Sequence, residues 1–279
     1  MEKMKNTLAK RDFLLPRYRK SLQEVIEEHL LKDEKVLAVF YGGSIGSNSE
    51  DLFSDIDLRI VVDEKDLDEF IAAKRNLAER YGRVLFFEEM DPRSPYTVAH
   101  YDDFIKVDTF YYQPKNLTPS VWLKEIKIVK DSNGLMEGIH SSSQLLDYTL
   151  TKDEVAVWRN KFLANLHEVY RRAMRGEVYY ALKSLDSLRL SMATGWYMAQ
   201  GIQPNGYGYW THYEGEKSRL TAEQQSHLAS WYAGRDASDI VAVSREMLLE
   251  FKKVHQSLCE KTGDEENLSR LDEIINLVL

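Results

Sequence analysis

The chain has 279 residues, of which 43% are hydrophobic and 29% are charged, and its formal net charge at pH 7 is −8. These values are typical of a folded globular protein, and the length is sufficient for two domains. The acidic balance argues against a partner that is an extended nucleic acid, because such binding depends on Lys and Arg contacts to phosphates. The single cysteine, Cys259, excludes a disulfide framework and a zinc site built from cysteines.

The sequence begins M-E-K-M-K-N-T-L-A-K-R-D-F-L-L-P, which contains no apolar stretch of the length that a signal peptide requires. No run elsewhere approaches the length of a membrane-spanning helix. We therefore expect a cytoplasmic protein without a membrane partner.

A helix and a strand are predicted before the first pair of glycines. The apolar positions of the helix recur at helical spacing and are Leu22, Val25, Ile26 and Leu30. His29 lies on the same stripe, and we interpret it as a packed core residue rather than a ligand. Residues 35–41 read K-V-L-A-V-F-Y and end at two glycines, which predicts a strand closed by a tight turn.

A phosphate-binding turn is predicted after this strand. Gly42 and Gly43 allow the backbone to approach a ligand closely. Ser44 adds a hydroxyl at the predicted N-terminus of a helix, where free N–H groups favour anions. We therefore interpret Gly42, Gly43 and Ser44 as candidate nucleotide-binding residues.

Two aspartates follow on one face of the next predicted strand. Residues 55–62 alternate between polar and apolar side chains, so that Asp55, Asp57 and Arg59 point to the same side. Neighbouring carboxylates repel each other, which raises the pKa of one of them unless a cation lies between them. Mg²⁺ is the natural cation, because it prefers oxygen ligands and is usually held by one or two carboxylates together with substrate phosphates.

A third aspartate lies in a later predicted strand. A helix over residues 64–81 and a strand over residues 83–89 precede two strands, residues 97–101 and 104–112, which are predicted to form a hairpin. Asp108 lies in the middle of the second of these strands, F-I-K-V-D-T-F-Y-Y, among mostly apolar residues. We interpret it as a third acid of the site; the alternative is a charge on an edge strand that discourages aggregation.

The turn at Gly43-Ser44, the pair Asp55-x-Asp57 and the later Asp108 occur in an order that resembles the nucleotidyltransferase superfamily. This superfamily includes DNA polymerase β and the antibiotic nucleotidyltransferases. The resemblance implies transfer of a nucleoside monophosphate from a nucleoside triphosphate to a hydroxyl, with two Mg²⁺ ions and with pyrophosphate as the leaving group. It also implies that Asp55 and Asp57 bind Mg²⁺.

The resemblance also implies roles for two serines and for Asp108. It implies that Ser44 and Ser54 contact phosphate oxygens. Asp108 would be either a third metal ligand or the base for the acceptor hydroxyl. The streptomycin and lincosamide enzymes often have glutamate at this position, read as the base, and the shorter aspartate leaves both roles open.

The pattern changes near residue 140, beyond which almost all of the sequence is predicted to be helical. One apolar stripe consists of Val155, Trp158, Phe162, Leu166 and Val169. We therefore predict an α/β mixed-sheet nucleotidyltransferase domain over residues 1–140, followed by an all-α helical bundle domain over residues 141–279. Residues 176–189, G-E-V-Y-Y-A-L-K-S-L-D-S-L-R, resemble the C-terminal domains of antibiotic nucleotidyltransferases, which implies a role in binding triphosphate and acceptor.

Two basic residues of the helical region are candidate nucleotide ligands. Arg189 borders an apolar stripe, where its guanidinium can bind triphosphate oxygens or can instead lay its stem along the core. Lys217 lies in the segment of residues 206–220. That segment contains two glutamates and the aromatic residues Tyr207, Tyr209, Trp210, His212 and Tyr213. Such a surface suits an amino sugar or another polyhydroxylated cation; the alternative is a loop pinned to the core by its aromatic side chains.

The predicted function is that of a Mg²⁺-dependent adenylyltransferase that uses ATP or another nucleoside triphosphate and exists as a monomer or homodimer. Its predicted acceptor is a small hydroxylated molecule, with aminoglycoside- or lincosamide-like antibiotics as the leading class. One alternative is a toxin–antitoxin-like enzyme that modifies protein or RNA. Some nucleotidyltransferases of such systems pair with a helical RNase domain that uses an arginine and a histidine a few residues apart on one helix, but Arg159 and His167 are spaced more widely than that motif usually allows. A non-catalytic nucleotide-binding protein is disfavoured because all three acids are present.

Overall fold

The computed structural model describes residues 2–88, 91–206, 208–265 and 268–278. The chain divides into two compact units, Met1–Asp147 and Tyr148–Leu279. The first unit ends shortly after a helix, Leu135–Gln144, so the boundary predicted at residue 140 falls inside a helix.

The first unit is a mixture of helices and strands. In chain order it contains α1 (Glu2–Lys32), β1 (Val36–Tyr41), the helical turn α2 (Gly43–Gly46), β2 (Ile56–Val62), α3 (Leu67–Tyr81), β3 (Val84–Phe87), β4 (Tyr96–Tyr101), β5 (Lys106–Tyr112), β6 (Lys127–Asp131) and α4 (Leu135–Gln144). The strand predicted over residues 83–89 is therefore shorter, and Glu89 lies outside the described residues.

The strands form one six-stranded sheet in the order β3-β4-β5-β2-β1-β6. β2 and β5 are parallel, and the other neighbouring pairs of described strands are antiparallel. The predicted mixed-sheet α/β class is confirmed. β5 lies between β4 and β2, so the alternative interpretation of Asp108 as an edge-strand charge is wrong.

The apolar face of β2 packs into a core with the helices of this unit. Ile56, Leu58 and Ile60 are completely buried, as their alternation with polar residues predicts. The stripe predicted on α1 also joins this core, but His29 does not. Its side chain is exposed, and its ring packs edge-on against Tyr81 with the ring centroids 5.7 Å apart. The prediction of a packed core histidine is wrong because this position lies at the margin of the buried stripe.

The second unit is helical, as predicted. Its helices are α5 (Lys152–Met174), α6 (Val178–Ala199), α7 (Ala222–Ser230), α8 (Ala237–Thr262) and α9 (Leu268–Asn276). α5 begins at a capping box in which Thr151 and Glu154 bond each other's backbone N–H groups. Among the described helices of the chain, none is both long and apolar enough to cross a membrane.

Aromatic side chains fill the centre of this helical core. Phe162 of α5 stacks on Phe251 of α8 with the ring centroids 3.9 Å apart, and Trp158 packs beside them. Gly195 of α6 faces Trp158, where a Cβ atom would lie 2.6 Å from the indole ring. This glycine therefore allows α5 and α6 to pack closely.

Candidate active site

The turn after β1 is held directly against the first residues of β2. The Gly42 N–H donates a hydrogen bond to the Asp57 carbonyl oxygen at 3.0 Å. Gly43 has φ +54°, and a Cβ atom at this position would lie 2.0 Å from Asp57 Oδ2. Only glycine combines this backbone conformation with such close contact, so the turn and the Asp57 carboxylate form one structural element.

Ser44 places an unused hydroxyl in this turn. Its Oγ is buried and has no hydrogen-bond partner among the described residues. A buried hydroxyl without a partner costs free energy, which a ligand oxygen within reach would recover. The helix predicted to begin here is a single turn, Gly43–Gly46. An anion at this turn would therefore be bound by the Ser44 hydroxyl and not by the dipole of a long helix.

Ser54 has a different environment. Its Oγ accepts a hydrogen bond from the Asp51 N–H at 2.8 Å, and its carbonyl accepts one from Arg19 Nη1 at 3.0 Å. Arg19 of α1 is buried and also binds Glu50 at 3.1 Å. Arg19 therefore anchors the loop that leads into Asp55. Sequence reasoning missed this residue, although its helical spacing from Leu15 and Leu22 was a usable signal.

Asp57 and Asp108 are register partners on the parallel strands β2 and β5. In-register parallel pairing directs both side chains to the same face of the sheet. Asp55, two residues before Asp57, is connected to Asp108 by a lysine that contacts both carboxylates. Lys106 Nζ lies 2.8 Å from Asp55 Oδ2 and 3.0 Å from Asp108 Oδ2. The structure thus brings together the three acids singled out in the sequence.

Two cations also lie within this cluster, and neither was given a role from the sequence, although Arg59 was predicted to lie on the same face as Asp55 and Asp57. One is Lys106. The other is Arg59, whose Nη2 lies 3.4 Å from Asp57 Oδ1 and whose guanidinium stacks 4.4 Å from the centre of the Phe110 ring. The signal was present in the strands, because Lys106 precedes Asp108 by two residues and Arg59 follows Asp57 by two.

Burial and charge act in opposite directions on Asp108. Burial raises the pKa of the Asp108 carboxyl, the Lys106 ammonium lowers it, and the net direction is upward. Burial lowers the pKa of Lys106, but its hydrogen bonds to Asp55 and Asp108 outweigh this effect and raise the pKa. Asp108 Oδ1 is buried without a hydrogen-bond partner among the described residues. This oxygen is therefore available to a ligand or a proton.

The three carboxylates have the donor chemistry of a magnesium site. They supply only oxygen ligands, and the unpartnered Asp108 Oδ1 is an acceptor that a cation would satisfy. In the described part of the chain, no three acidic, histidine or cysteine side chains are already arranged around a metal position. Lys106 and Arg59 lie against these carboxylates, so a metal ion would have to displace those contacts.

The helical unit contains a cavity of about 620 Å³. Its lining includes Asp186, Arg189, Trp210, Tyr213, Glu214, Trp231 and Tyr232. Two predicted features therefore meet at one cavity, namely Arg189 and the aromatic segment of residues 206–220. Tyr207 of that segment lies outside the described residues, and Lys217 is not among the residues that line the cavity.

Arg189 is tied into the wall of this cavity. Its Nε donates to the Trp231 carbonyl oxygen at 2.8 Å, and its Nη1 lies 3.2 Å from Asp186 Oδ1. The other oxygen of Asp186 accepts a hydrogen bond from Trp210 Nε1 at 3.1 Å. These contacts give Arg189 a bracing role in the structure, and its predicted role as a nucleotide ligand stays a prediction.

A mixed sheet that brings three carboxylates beside a glycine-serine turn is the arrangement of a nucleotidyltransferase, and the chain is an enzyme of this class. The model of the family described as streptomycin adenylyltransferase matches residues 17–277. The chain belongs to this family, which confirms the resemblance to antibiotic nucleotidyltransferases. Family membership also implies a nucleotide as co-substrate.

One solved structure to which the chain is similar is an aminoglycoside 6-adenyltransferase from Bacillus subtilis. The two share 14% sequence identity, the match covers 91% of this chain and 97% of that chain, and the TM-score is 0.42. In a comparison with curated protein sequences, the chain matches none.

Proposed function

We propose that this enzyme transfers AMP from ATP to a hydroxyl of a small cationic molecule of the aminoglycoside type, with Mg²⁺ as cofactor. The observation that carries the proposal is the clustering of Asp55, Asp57 and Asp108 beside the Gly43-Ser44 turn. Membership of an adenylyltransferase family supports a nucleotide donor. In this proposal the first unit, Met1–Asp147, carries the transfer chemistry in the cytoplasm.

The turn would receive the phosphates of the nucleotide. Because Gly43 has no side chain, its backbone lies directly against the Asp57 carboxylate. A phosphate bound at this turn would therefore lie next to the oxygens of Asp57 that are proposed to bind the metal. Ser44 Oγ can donate its hydrogen to a phosphate oxygen, which would satisfy the buried hydroxyl. Ser54 shapes the adjoining loop through its bond to Asp51.

The three carboxylates would divide between metal binding and proton transfer. Asp55 and Asp57 would hold Mg²⁺, which when bound supplies neutralisation of charge on the transferring phosphate and on the leaving pyrophosphate. Asp108 would accept the proton of the acceptor hydroxyl, because its raised pKa makes it a better proton acceptor than an ordinary aspartate. The acceptor oxygen forms a bond to the α-phosphorus as the bond from that phosphorus to the bridging oxygen of the pyrophosphate breaks.

The cavity of the helical unit is our candidate for binding the acceptor. Trp210 and Tyr232 present aromatic surfaces, and Asp186 and Glu214 supply carboxylates. Sugar rings pack on aromatic faces, and ammonium groups bind carboxylates and aromatic rings. The formal net charge of −8 also favours the approach of a cationic acceptor.

The alternative of a toxin–antitoxin-like enzyme gains no support from Arg159 and His167, the two residues that suggested it. His167 Nε2 lies 3.2 Å from the Ile274 carbonyl oxygen, and Arg159 Nε binds Asn160 Oδ1 at 3.3 Å. Each residue therefore has its own structural contact within the helical unit.

A matrix of donors and acceptors tests the proposal. The full-length protein is incubated with Mg²⁺ and each of the common nucleoside triphosphates, against aminoglycosides, lincosamides and neutral sugars. We expect release of pyrophosphate with ATP and an aminoglycoside, and an acceptor product whose mass has increased by one AMP unit. Turnover that survives Asp57→Asn, or modification of neutral sugars as efficiently as of cationic ones, would contradict the proposal.

A further inference from the structure

Lys106 occupies the centre of the carboxylate cluster. Its strand pairs in register with β2, where Val107 is opposite Ile56 and Asp108 is opposite Asp57. Lys106, one step earlier, therefore comes level with Asp55, and its ammonium lies within 3.0 Å of both Asp55 Oδ2 and Asp108 Oδ2. The ammonium thus joins Asp55, a proposed metal ligand, to Asp108, the proposed base, and covers an oxygen that Asp55 would offer to a metal ion.

The cluster is largely neutralised without any metal ion. The charges of Asp55, Asp57 and Asp108 face those of Lys106 and Arg59, which leaves one uncompensated negative charge in the group. A free divalent cation must displace these contacts to reach the carboxylate oxygens, so part of its binding free energy is offset.

The two cations differ in how easily they can move. Arg59 is stacked on the Phe110 ring, which restrains its planar guanidinium. The Lys106 side chain has a flexible four-carbon stem and is 35% exposed, so its ammonium can turn towards solvent or towards an incoming anion. Of the two cations, Lys106 is therefore the one that can move away from the carboxylates.

We propose that Lys106 is a positioning residue that serves as an internal counter-ion, holding Asp55 and Asp108 until metal arrives together with a nucleotide. The triphosphate then supplies new anionic partners for the displaced ammonium. This inference rests on the proposed function, since it assumes that the carboxylates bind the metal of a metal–nucleotide complex. Its consequence is that metal and nucleotide bind cooperatively, whereas metal alone binds weakly.

Mn²⁺ binding to the full-length protein tests this inference without an activity readout. Free Mn²⁺ is counted by electron paramagnetic resonance in titrations with and without ATP. Lys106→Met removes the ammonium at similar length, Lys106→Arg retains a positive charge, and Lys115→Met is the control because Lys115 pairs with the exposed Glu64 away from the cluster. We expect Lys106→Met to tighten Mn²⁺ binding in the absence of ATP by about tenfold or more. Lys106→Arg and Lys115→Met should behave like the wild type.

The same titrations separate the failure of this inference from failure of the proposed function. If wild-type protein with ATP binds Mn²⁺ and Asp57→Asn abolishes this binding, the metal site stands. Unchanged or weaker nucleotide-free binding in Lys106→Met then overturns the role of Lys106 alone. If no Asp57-dependent Mn²⁺ binding occurs with ATP, both proposals fall. Should Lys106→Met melt at a lower temperature than the wild type, Lys106→Gln provides the same comparison with a polar side chain.

Discussion

Asp57 and Asp108 lie opposite each other on β2 and β5, the parallel pair among the described strands. The two residues are distant in sequence, yet the register alone directs both carboxylates to one face. The Gly43 turn lies against the Asp57 carboxylate, and Lys106 contacts the Asp108 carboxylate. The proposed chemistry therefore depends on the register of β2 and β5. Replacing either carboxylate should disturb the chemistry.

Replacing Asp57 tests the predicted metal ligand. Asp57→Asn should lower the rate of pyrophosphate release by at least about 10²-fold, because an amide is a poorer ligand for Mg²⁺ than a carboxylate. The fold should persist, since the side chains have nearly the same shape, and circular dichroism checks this. Asp63→Asn, at an exposed position just after β2, is the control and should retain full activity.

Replacing Asp108 distinguishes a base from a metal ligand. If Asp108 is the base, Asp108→Asn should lower kcat by about 10²-fold or more. Binding of Mg²⁺–nucleotide, measured by calorimetry, should then stay close to that of the wild type. A variant that no longer binds the nucleotide would instead identify Asp108 as a ligand of the metal.

The raised pKa of Asp108 predicts a pH dependence of stability. Since the pKa is higher in the folded than in the unfolded protein, charging the carboxylate costs free energy on folding. This cost is absent below the unfolded pKa, and it grows as pH rises through the folded pKa. The Tm of Asp108→Asn relative to wild type should therefore increase with pH in scans between about pH 3 and 8. A relative Tm that falls with pH would show that the attraction of Lys106 outweighs burial.

Gly43→Ala tests the close contact in the phosphate-binding turn. The positive φ of +54° costs a non-glycine residue about 1–2 kcal/mol, and the new Cβ atom must also displace Asp57 Oδ2. Gly134→Ala is a matched control, because Gly134 has φ +71° but no atom within 4 Å of the added Cβ. Both variants should lose stability in urea unfolding, whereas Gly43→Ala alone should lose nucleotide binding. Equal nucleotide affinity in the two variants would remove the turn from the binding site.

Arg189→Ala tests the predicted nucleotide ligand of the helical unit. If the guanidinium binds triphosphate oxygens, the variant should bind ATP more weakly by about 1.5–3 kcal/mol, the usual cost of losing a hydrogen bond to a charged group. Removal of Lys217 should have a smaller effect. Arg235→Ala, which removes an exposed arginine stacked on Tyr179, controls for loss of charge. A lower Tm with unchanged ATP affinity would leave Arg189 with its bracing contacts to Trp231 and Asp186 alone.

The local pattern of the sequence determined the elements and the candidate acids. Strand alternation placed Asp55 and Asp57 on one face, and helical spacing identified the core of α5, because both periodicities arise within a few consecutive residues. The same local reasoning misplaced His29, whose exposure depends on how α1 meets α3 rather than on its own spacing.

Only the tertiary structure decided which charges meet. The strand order brings β5 beside β2, and the parallel register then sets Lys106 between Asp55 and Asp108. The packing of α1 likewise delivers Arg19 to the loop before Asp55. The periodicity of one strand determines which side chains share a face, but it carries no information about the neighbouring strand or its register. Contacts between residues far apart in the chain follow from the packing of the whole sheet.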